Sequence, residues 1–444
     1  MKKIIAIALC SVYCGTAAAQ KAYTLEQILD SARQHNIAIR HARQGIDAAR
    51  QQRKEAFTKY FPNVSGTGLW FNANKGMAQT TITPSEFLPQ SLGEMFAQLM
   101  PQQVLLDMSA PVSISMMKNG TIGSLMATQP VFAGGRIVNG NRLAKVGEDV
   151  SRLQLQLSEN EVEKTAEQYF WQIVTLQEKT KTVDAVDSLL ASIEKDVDVA
   201  VRAGVAMHND LLQVQLRRND IASQRLKLQN GLSIVRLLLA QYCGLKDEGF
   251  GVKYRAMTDE PLPVQATASL DALPEYQLLE KQVEAAGLQK KMAIGQNLPS
   301  VAVGAGYNYH NLLDNNHSFG MVFATVSLPI SDWWGGSHAI RRKKIEQQQA
   351  EEQLADNAEL LKIRMQKAAN DVEEARQQLL IAHCSIEQAD ENLRLHRNYY
   401  RAGTARMSDL LEAQLLYQQA CDKQTEAYAE LQNRLLDYRQ ATGQ

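Results

Sequence analysis

The chain has 444 residues, with 47 basic against 48 acidic side chains and 45% hydrophobic residues. So even a balance excludes a nucleic-acid partner held by a basic face. No window supplies the roughly 18 uninterrupted apolar residues that a membrane-spanning helix requires, so any insertion into a bilayer has to use strands.

Residues 1–19, MKKIIAIALCSVYCGTAAA, join a basic start at Lys2 and Lys3 to a short apolar stretch and a small-residue end at Ala17-Ala18-Ala19. This is the pattern of a secretory signal peptide cut before Gln20. Cys10 and Cys14 leave with it. Neither follows the small-residue pattern of a lipid-modified cysteine, and no lipid anchor is expected. Cys243, Cys384 and Cys421 remain, odd in number, widely spaced and inside helical patterns. They are read as buried small side chains.

The rest of the chain is a tandem duplication. RAGVAMHNDLLQVQ at 202–215 matches RAGTARMSDLLEAQ at 401–414, and the same offset aligns Pro130 with Pro329 and Gly244 with Gly443. Upstream, IDAARQQRKEAFTKYFPNV at 46–64 aligns with VEAAGLQKKMAIGQNLPSV at 283–301 at a larger offset. The difference is extra sequence in the first copy, between about 74 and 120. The chain therefore divides into a first repeat, 20–244, a linker, 245–269, and a second repeat, 270–444. Each repeat reads as medium helix, strand, loop, strand, long helix, tight turn, medium helix.

The long helices carry the clearest periodicity. Leu354, Leu361, Ala368, Ala375, Ala382, Ala389 and His396 recur every seventh residue, and Ala358, Met365, Val372, Leu379, Ile386, Leu393 and Tyr400 follow four places on. Val162, Tyr169, Leu176, Val183, Leu190 and Val197 repeat the pattern in the first copy. A helix from Gly135 to about Ala203 is a rod of roughly 100 Å. The returning helices keep the seven-residue period with Val214, Ile221, Leu228 and Val235, and with Leu410, Tyr417, Gln424, Leu431 and Tyr438. Alanine-rich seams let helices approach closely, and the polar remainder suits water on the other surfaces.

The strands discriminate a membrane protein from a plain coiled coil. In VAVGAGYNYH at 301–310, Val301, Val303, Ala305, Tyr307 and Tyr309 face one way, and Ala302, Gly304, Gly306, Asn308 and His310 the other. One face suits lipid and the other a wet lumen. Val64–Asn74, Thr121–Val131 and Phe319–Leu328 behave alike. Four strands leave two unpaired edges, and each unsatisfied backbone group costs several kcal/mol in hydrocarbon. The barrel must therefore be shared between copies, eight strands from a dimer or twelve from a trimer.

Gln129-Pro130-Val131-Phe132-Ala133-Gly134-Gly135-Arg136, and its counterpart Leu328-Pro329-Ile330-Ser331-Asp332-Trp333-Trp334-Gly335-Gly336, resemble the strand-to-helix junctions of the outer-membrane efflux protein (TolC) family. The resemblance covers essentially the whole mature chain. In both junctions the proline is expected to end the strand and the paired glycines to allow a sharp turn into the helix. The resemblance implies a mainly α protein with membrane β: a TolC-like homotrimer whose shared twelve-stranded barrel lies in outer-membrane lipid of a Gram-negative bacterium and continues into a periplasmic helical tunnel. It also implies a periplasmic adaptor (membrane fusion protein) and an inner-membrane transporter of the RND, ABC or MFS class as partners.

The implied function is a passive exit duct of a tripartite efflux pump. The alternatives are a type I protein-secretion outlet on the same scaffold and a periplasmic adaptor or coiled-coil scaffold. The turns Arg202-Ala203-Gly204-Val205 and Arg401-Ala402-Gly403-Thr404, furthest from the strands, are implied to dock the adaptor. Asp409 and Glu412 are similar to the family's acidic entrance motif, where three copies of each would form cation-favouring rings. Tyr400 and Asp210 match two positions of the gate network. The sequence departs from the motif at Ala405, where the family can carry arginine, and Arg406 follows one residue later.

The methionines of the insert, Met77, Met95, Met100, Met108, Met116 and Met117, show no tight ligand spacing, and the insert is read as an elaborated extracellular loop. The eight histidines form no paired ligand motif, and no nucleophile elbow or phosphate-cradling loop is present. No enzyme activity, metal or cofactor is expected.

Overall fold

The computed structural model describes residues 22–83, 112–246, 249–254, 269–312, 316–330 and 332–443. The expected signal peptide at 1–19, residues 84–111 of the expected insert and residues 255–268 of the expected linker lie outside the described residues. In chain order the elements are β1 (Ala22–Tyr23), α1 (Leu25–His35), α2 (Ile37–Thr58), β2 (Asn63–Asn72), β3 (Ala78–Ile82), β4 (Val112–Met116), β5 (Asn119–Ala133), α3 (Arg136–Arg202), α4 (His208–Cys243), β6 (Gly251–Val252), α5 (Pro274–Gln296), β7 (Ser300–Asn311), β8 (Asn316–Ser327), α6 (Asp332–Arg401) and α7 (Met407–Thr442). The duplicated plan is plain in the lengths: 67 and 70 residues for α3 and α6, and 36 for each of α4 and α7. The chain separates into a helical unit, Met1–Arg50 with Val146–Glu284 and Gln348–Gln444, and a strand-bearing unit, Gln51–Lys145 with Ala285–Gln347.

In the helical unit the seven-residue seams are the packed faces. All fourteen α6 seam positions from Leu354 to Tyr400 are buried or half-buried, and Ala368, Val372, Ala375, Leu379, Ala382 and Leu393 are fully so. One cluster gathers Ile28, Phe170, Ile173, Leu239, Phe250 and Leu435; a second gathers Leu190, Val197, Val214, Ile221, Met407 and Leu410. Each such apolar side chain contributes about 1.5–3 kcal/mol by leaving water. The cysteine expectation fails at Cys384, which is exposed, while Cys243 is buried and Cys421 half-buried. Cys384 falls between the seam residues Ala382 and Ile386, on the polar side of the helix.

The first described helix is fastened locally. Thr24 and Gln27 form a reciprocal capping box for α1. The Ser31 hydroxyl donates to the Cys243 carbonyl at 2.9 Å and the Asn36 amide to that of Tyr242 at 3.1 Å, so α1 holds the last turn of α4. Gly244 closes that turn at φ +67°, and a Cβ there would lie 2.6 Å from the His35 Cβ. Its aligned partner Gly443 caps α7 in the same left-handed conformation, φ +71°. Part of the linker is ordered as β6, which pairs in parallel with β1.

In the strand-bearing unit β2, β5, β7 and β8 form one antiparallel sheet in the order β2-β5-β7-β8. Described parts of the insert form a separate antiparallel pair, β3 with β4. The pairing register places Val64, Trp70, Leu125, Val303, Tyr307, Tyr309, Val322 and Val326 on a single face. All eight are exposed in the isolated chain. The opposite face carries Ser65, Thr67, Ser124, Asn308, His310 and His317, as expected for a wet surface. It also carries Phe319, Met321 and Phe323, which the reading of β7 alone did not reveal. Phe323 lies on Gly304, where an added Cβ would come within 2.4 Å of the ring.

The two strand-to-helix junctions differ from each other and from expectation. Pro130 does not end its strand: β5 continues to Ala133, and the register shifts between Pro130 and Phe132. Proline has no N–H to give the ladder, and a bulge absorbs that loss. Pro329 does follow the end of β8. Gly134 and Gly135 have φ of +61° and +74° and make the turn into α3. Gly335 and Gly336 do not turn the chain, because α6 has already begun at Asp332. Gly336 instead admits the Asn297 side chain, whose Oδ1 would lie 1.7 Å from an added Cβ, and the Trp333 indole N–H donates to the Asn297 carbonyl at 3.1 Å.

Candidate channel sites

The duplicated turns of the helical unit are built alike. In the first, Gly204 (φ +76°) donates to the Val201 carbonyl at 3.0 Å and Val205 to that of Ala200 at 2.9 Å. In the second, Gly403 (φ +74°) donates to Tyr400 at 3.0 Å and Thr404 to Tyr399 at 2.9 Å. These bonds satisfy the last carbonyls of α3 and α6 through a left-handed residue that glycine adopts without strain. Val205 is 80% exposed, an apolar side chain that the turn itself leaves in water. Arg202 pairs with Asp198. Arg401, at the end of α6, reaches Asp196 of α3 at 3.7 Å, so the two turns are neighbours.

Beside them stand Tyr400, Asp210, Asp409 and Glu412, the residues expected from sequence at the gate and entrance. Tyr400 packs against the second core cluster, and burial, then the charge of nearby Asp210, push its phenol above the ordinary value. Asp409 accepts the Arg406 backbone N–H at 3.1 Å and the Ser408 hydroxyl at 3.1 Å. The first of these bonds is the main reason its carboxyl is held below the usual range, and both oxygens are committed to starting α7. Glu412 lies one turn on and is exposed.

One polar cluster was missed by sequence reading. Arg217 of α4 donates through Nε to Gln414 and through Nη2 to Gln418 of α7, each at 3.0 Å, and the Gln418 amide donates to Gln224 at 2.7 Å. Gln414 is fully buried and Gln418 is 4% exposed. Burial holds the Arg217 guanidinium below its ordinary value, with Asp220 acting the other way. The legible signal was Gln414 itself, four places on from the seam residue Leu410, where the heptad calls for an apolar side chain. The cluster adds hydrogen bonds to the apolar contact that the two returning helices share in the second core cluster.

Of the two repeats, each built of helix, two strands, long helix and return helix, the second matches a known family. Residues 269–444 match the family described as "Outer membrane efflux protein". The matched segment coincides with the second repeat. No curated protein matches the chain in sequence. Among solved structures, the outer membrane protein VceC from Vibrio cholerae is similar at a TM-score of 0.71 and 14% identity, over 94% of this chain and 96% of that one. The CmeC outer membrane channel of Campylobacter jejuni is similar at 0.74 and 14%, over 94% and 85%. The MtrE outer membrane channel of Neisseria gonorrhoeae is similar at 0.70 and 15%, over 94% and 88%. The fold is therefore that of the TolC-like outer-membrane channels across both repeats.

Proposed function

We propose that the chain is one subunit of a homotrimeric outer-membrane channel that passively conducts small molecules out of a Gram-negative cell. The observation that carries this reading is the four-stranded sheet with β2 and β8 as open edges and an exposed apolar face running across all four strands. Such a face is unfavourable in water, and such edges are unfavourable in lipid. Closing edge β8 of one copy on edge β2 of the next removes both costs, and three copies give a twelve-stranded barrel with an even strand count. Among the described residues no helix is long and apolar enough to cross a membrane, which leaves the strands as the spanning elements. Export of small molecules is favoured over protein secretion by the efflux description of the matching family.

Within this reading the turns Arg202–Val205 and Arg401–Thr404 dock a periplasmic adaptor that links the duct to an inner-membrane transporter. Their shared geometry and the exposed Val205 support that role. Asp409 and Glu412, three copies each, form acidic rings at the entrance, and Tyr400 with Asp210 belongs to its closing contacts. The test is outer-membrane fractionation, native mass measurement in detergent and planar-bilayer recording. A trimer with cation-preferring conductance, weakened by Asp409→Ala with Glu412→Ala, is expected. Recovery as a soluble periplasmic monomer would defeat the proposal.

A further inference from the structure

We propose that His310 and His317 form a binding site for a late first-row divalent metal ion, of the Cu²⁺, Ni²⁺ or Zn²⁺ class, on the sheet face opposite the exposed apolar one. The two residues are direct partners in the antiparallel ladder of β7 and β8, so their side chains leave the same face from adjacent positions. Their ring centroids are 5.4 Å apart and the planes are tilted by 44°. A metal about 2.0–2.1 Å from an imidazole nitrogen lies about 3.2 Å from that ring's centre, so two imidazoles at a tetrahedral angle have centroids about 5.2 Å apart. The pair stands at a metal-chelating separation without any movement of the backbone.

Three features around the pair point the same way. The Nδ1 of His310 is buried with no hydrogen-bond partner. A buried polar atom of this kind is uncommon and costly, and coordination to an ion satisfies it. Phe319 flanks both rings, at 6.4 Å from His310 and 6.1 Å from His317, and forms an apolar wall that limits their rotation. On the other face Tyr307 donates to Ser318 and Tyr309 to Asn316, each at 2.9 Å, which fixes the register of the two strands that carry the imidazoles. His317 is exposed, so an ion has access.

The donor set also selects the ion. Among the described residues no third His, Cys, Asp or Glu side chain joins the pair, so what the described site offers is two imidazole nitrogens. Imidazole suits copper, nickel and zinc, whereas calcium and magnesium require oxygen ligands. With two protein ligands among the described residues, the remaining positions are open to water, which makes the ion exchangeable rather than structural.

The experiment is a Cu²⁺ titration of the full chain in detergent, followed by electron paramagnetic resonance. A signal with two equivalent imidazole nitrogens is expected. His310→Gln or His317→Gln should each abolish it and weaken copper binding at least about tenfold, the scale on which metal sites respond even to loss of an outer partner. His338→Gln, in α6, should leave it unchanged. A second measurement needs no variant: Zn²⁺ should protect His310 and His317 from diethyl pyrocarbonate, read by mass spectrometry. Absence of the two-nitrogen signal, its persistence in the double variant, or equal modification with and without Zn²⁺ would show a simple ring stack and overturn the proposal. These readouts depend on the β7–β8 pair alone, so they stand or fall separately from conductance and trimer formation.

Discussion

Replacing the two glycines at the first strand-to-helix junction, one at a time, separates two physical effects that act on neighbouring residues. Gly134→Ala and Gly135→Ala both place a side chain at positive φ, +61° and +74°, which costs about 1–2 kcal/mol. At Gly135 that is nearly all, because the nearest atom to the new Cβ is the Asn139 Nδ2 at 3.5 Å, an ordinary contact. At Gly134 the Cβ would come within 2.1 Å of the Gly295 carbonyl oxygen and 2.9 Å of its carbonyl carbon and Cα. These are backbone atoms and cannot rotate away. Separating them displaces the end of α5 from the junction, at a further cost of about 1–3 kcal/mol typical of overpacking. Gly134→Ala should therefore be the more damaging by a margin comparable with the whole effect of Gly135→Ala. Thermal unfolding of the detergent-solubilised variants, followed by far-ultraviolet circular dichroism under one scan rate, measures the order. Equal midpoints, or a lower midpoint for Gly135→Ala, would refute the claim that close backbone approach, and not backbone conformation alone, fixes Gly134.

Two further outcomes follow from buried ionisable groups. Burial pushes the Cys243 thiol up to about 12, whereas Cys384 is exposed, so maleimide at pH 8 should modify Cys384 in the folded chain and spare Cys243 until denaturant is added. Tandem mass spectrometry of the labelled peptides checks this. Glu167, 3% exposed, accepts hydrogen bonds from the Trp171 indole and Arg439, yet burial outweighs these partners and raises its carboxyl above the ordinary 4.5. The folded chain then holds the proton more tightly than the unfolded one, so stability falls as pH rises from 4.5 through the raised value. Glu167→Gln keeps an acceptor for Trp171 and Arg439 and should flatten that part of the stability–pH curve, measured by denaturant titration at a series of pH values.

The order of elements was legible because it rests on periodicity and on the duplication. The sevenfold seam of α6 packs at every position named from sequence, and the aligned pairs Gly204 with Gly403 and Gly244 with Gly443 share one backbone conformation. Glycine at a helix end is a local signal, and local signals survive in sequence. The paired glycines at 335 and 336 were misread for the converse reason. Their sequence resembles that of Gly134 and Gly135, but two extra residues let α6 start earlier, and what the second glycine does depends on Asn297, a residue distant in sequence. Arg217 was invisible because its partners lie about two hundred residues away, on a helix whose alignment with α4 no local pattern gives.

By itself the sequence determined that this chain is a doubled set of long amphipathic helices and short alternating strands, since helical and strand periods are properties of consecutive residues. The tertiary structure alone decided which strands pair and in what order, and hence that β2 and β8 are the open edges. It alone set His310 opposite His317, because register is a relation between segments. A slip of one residue would have moved each side chain to the other face.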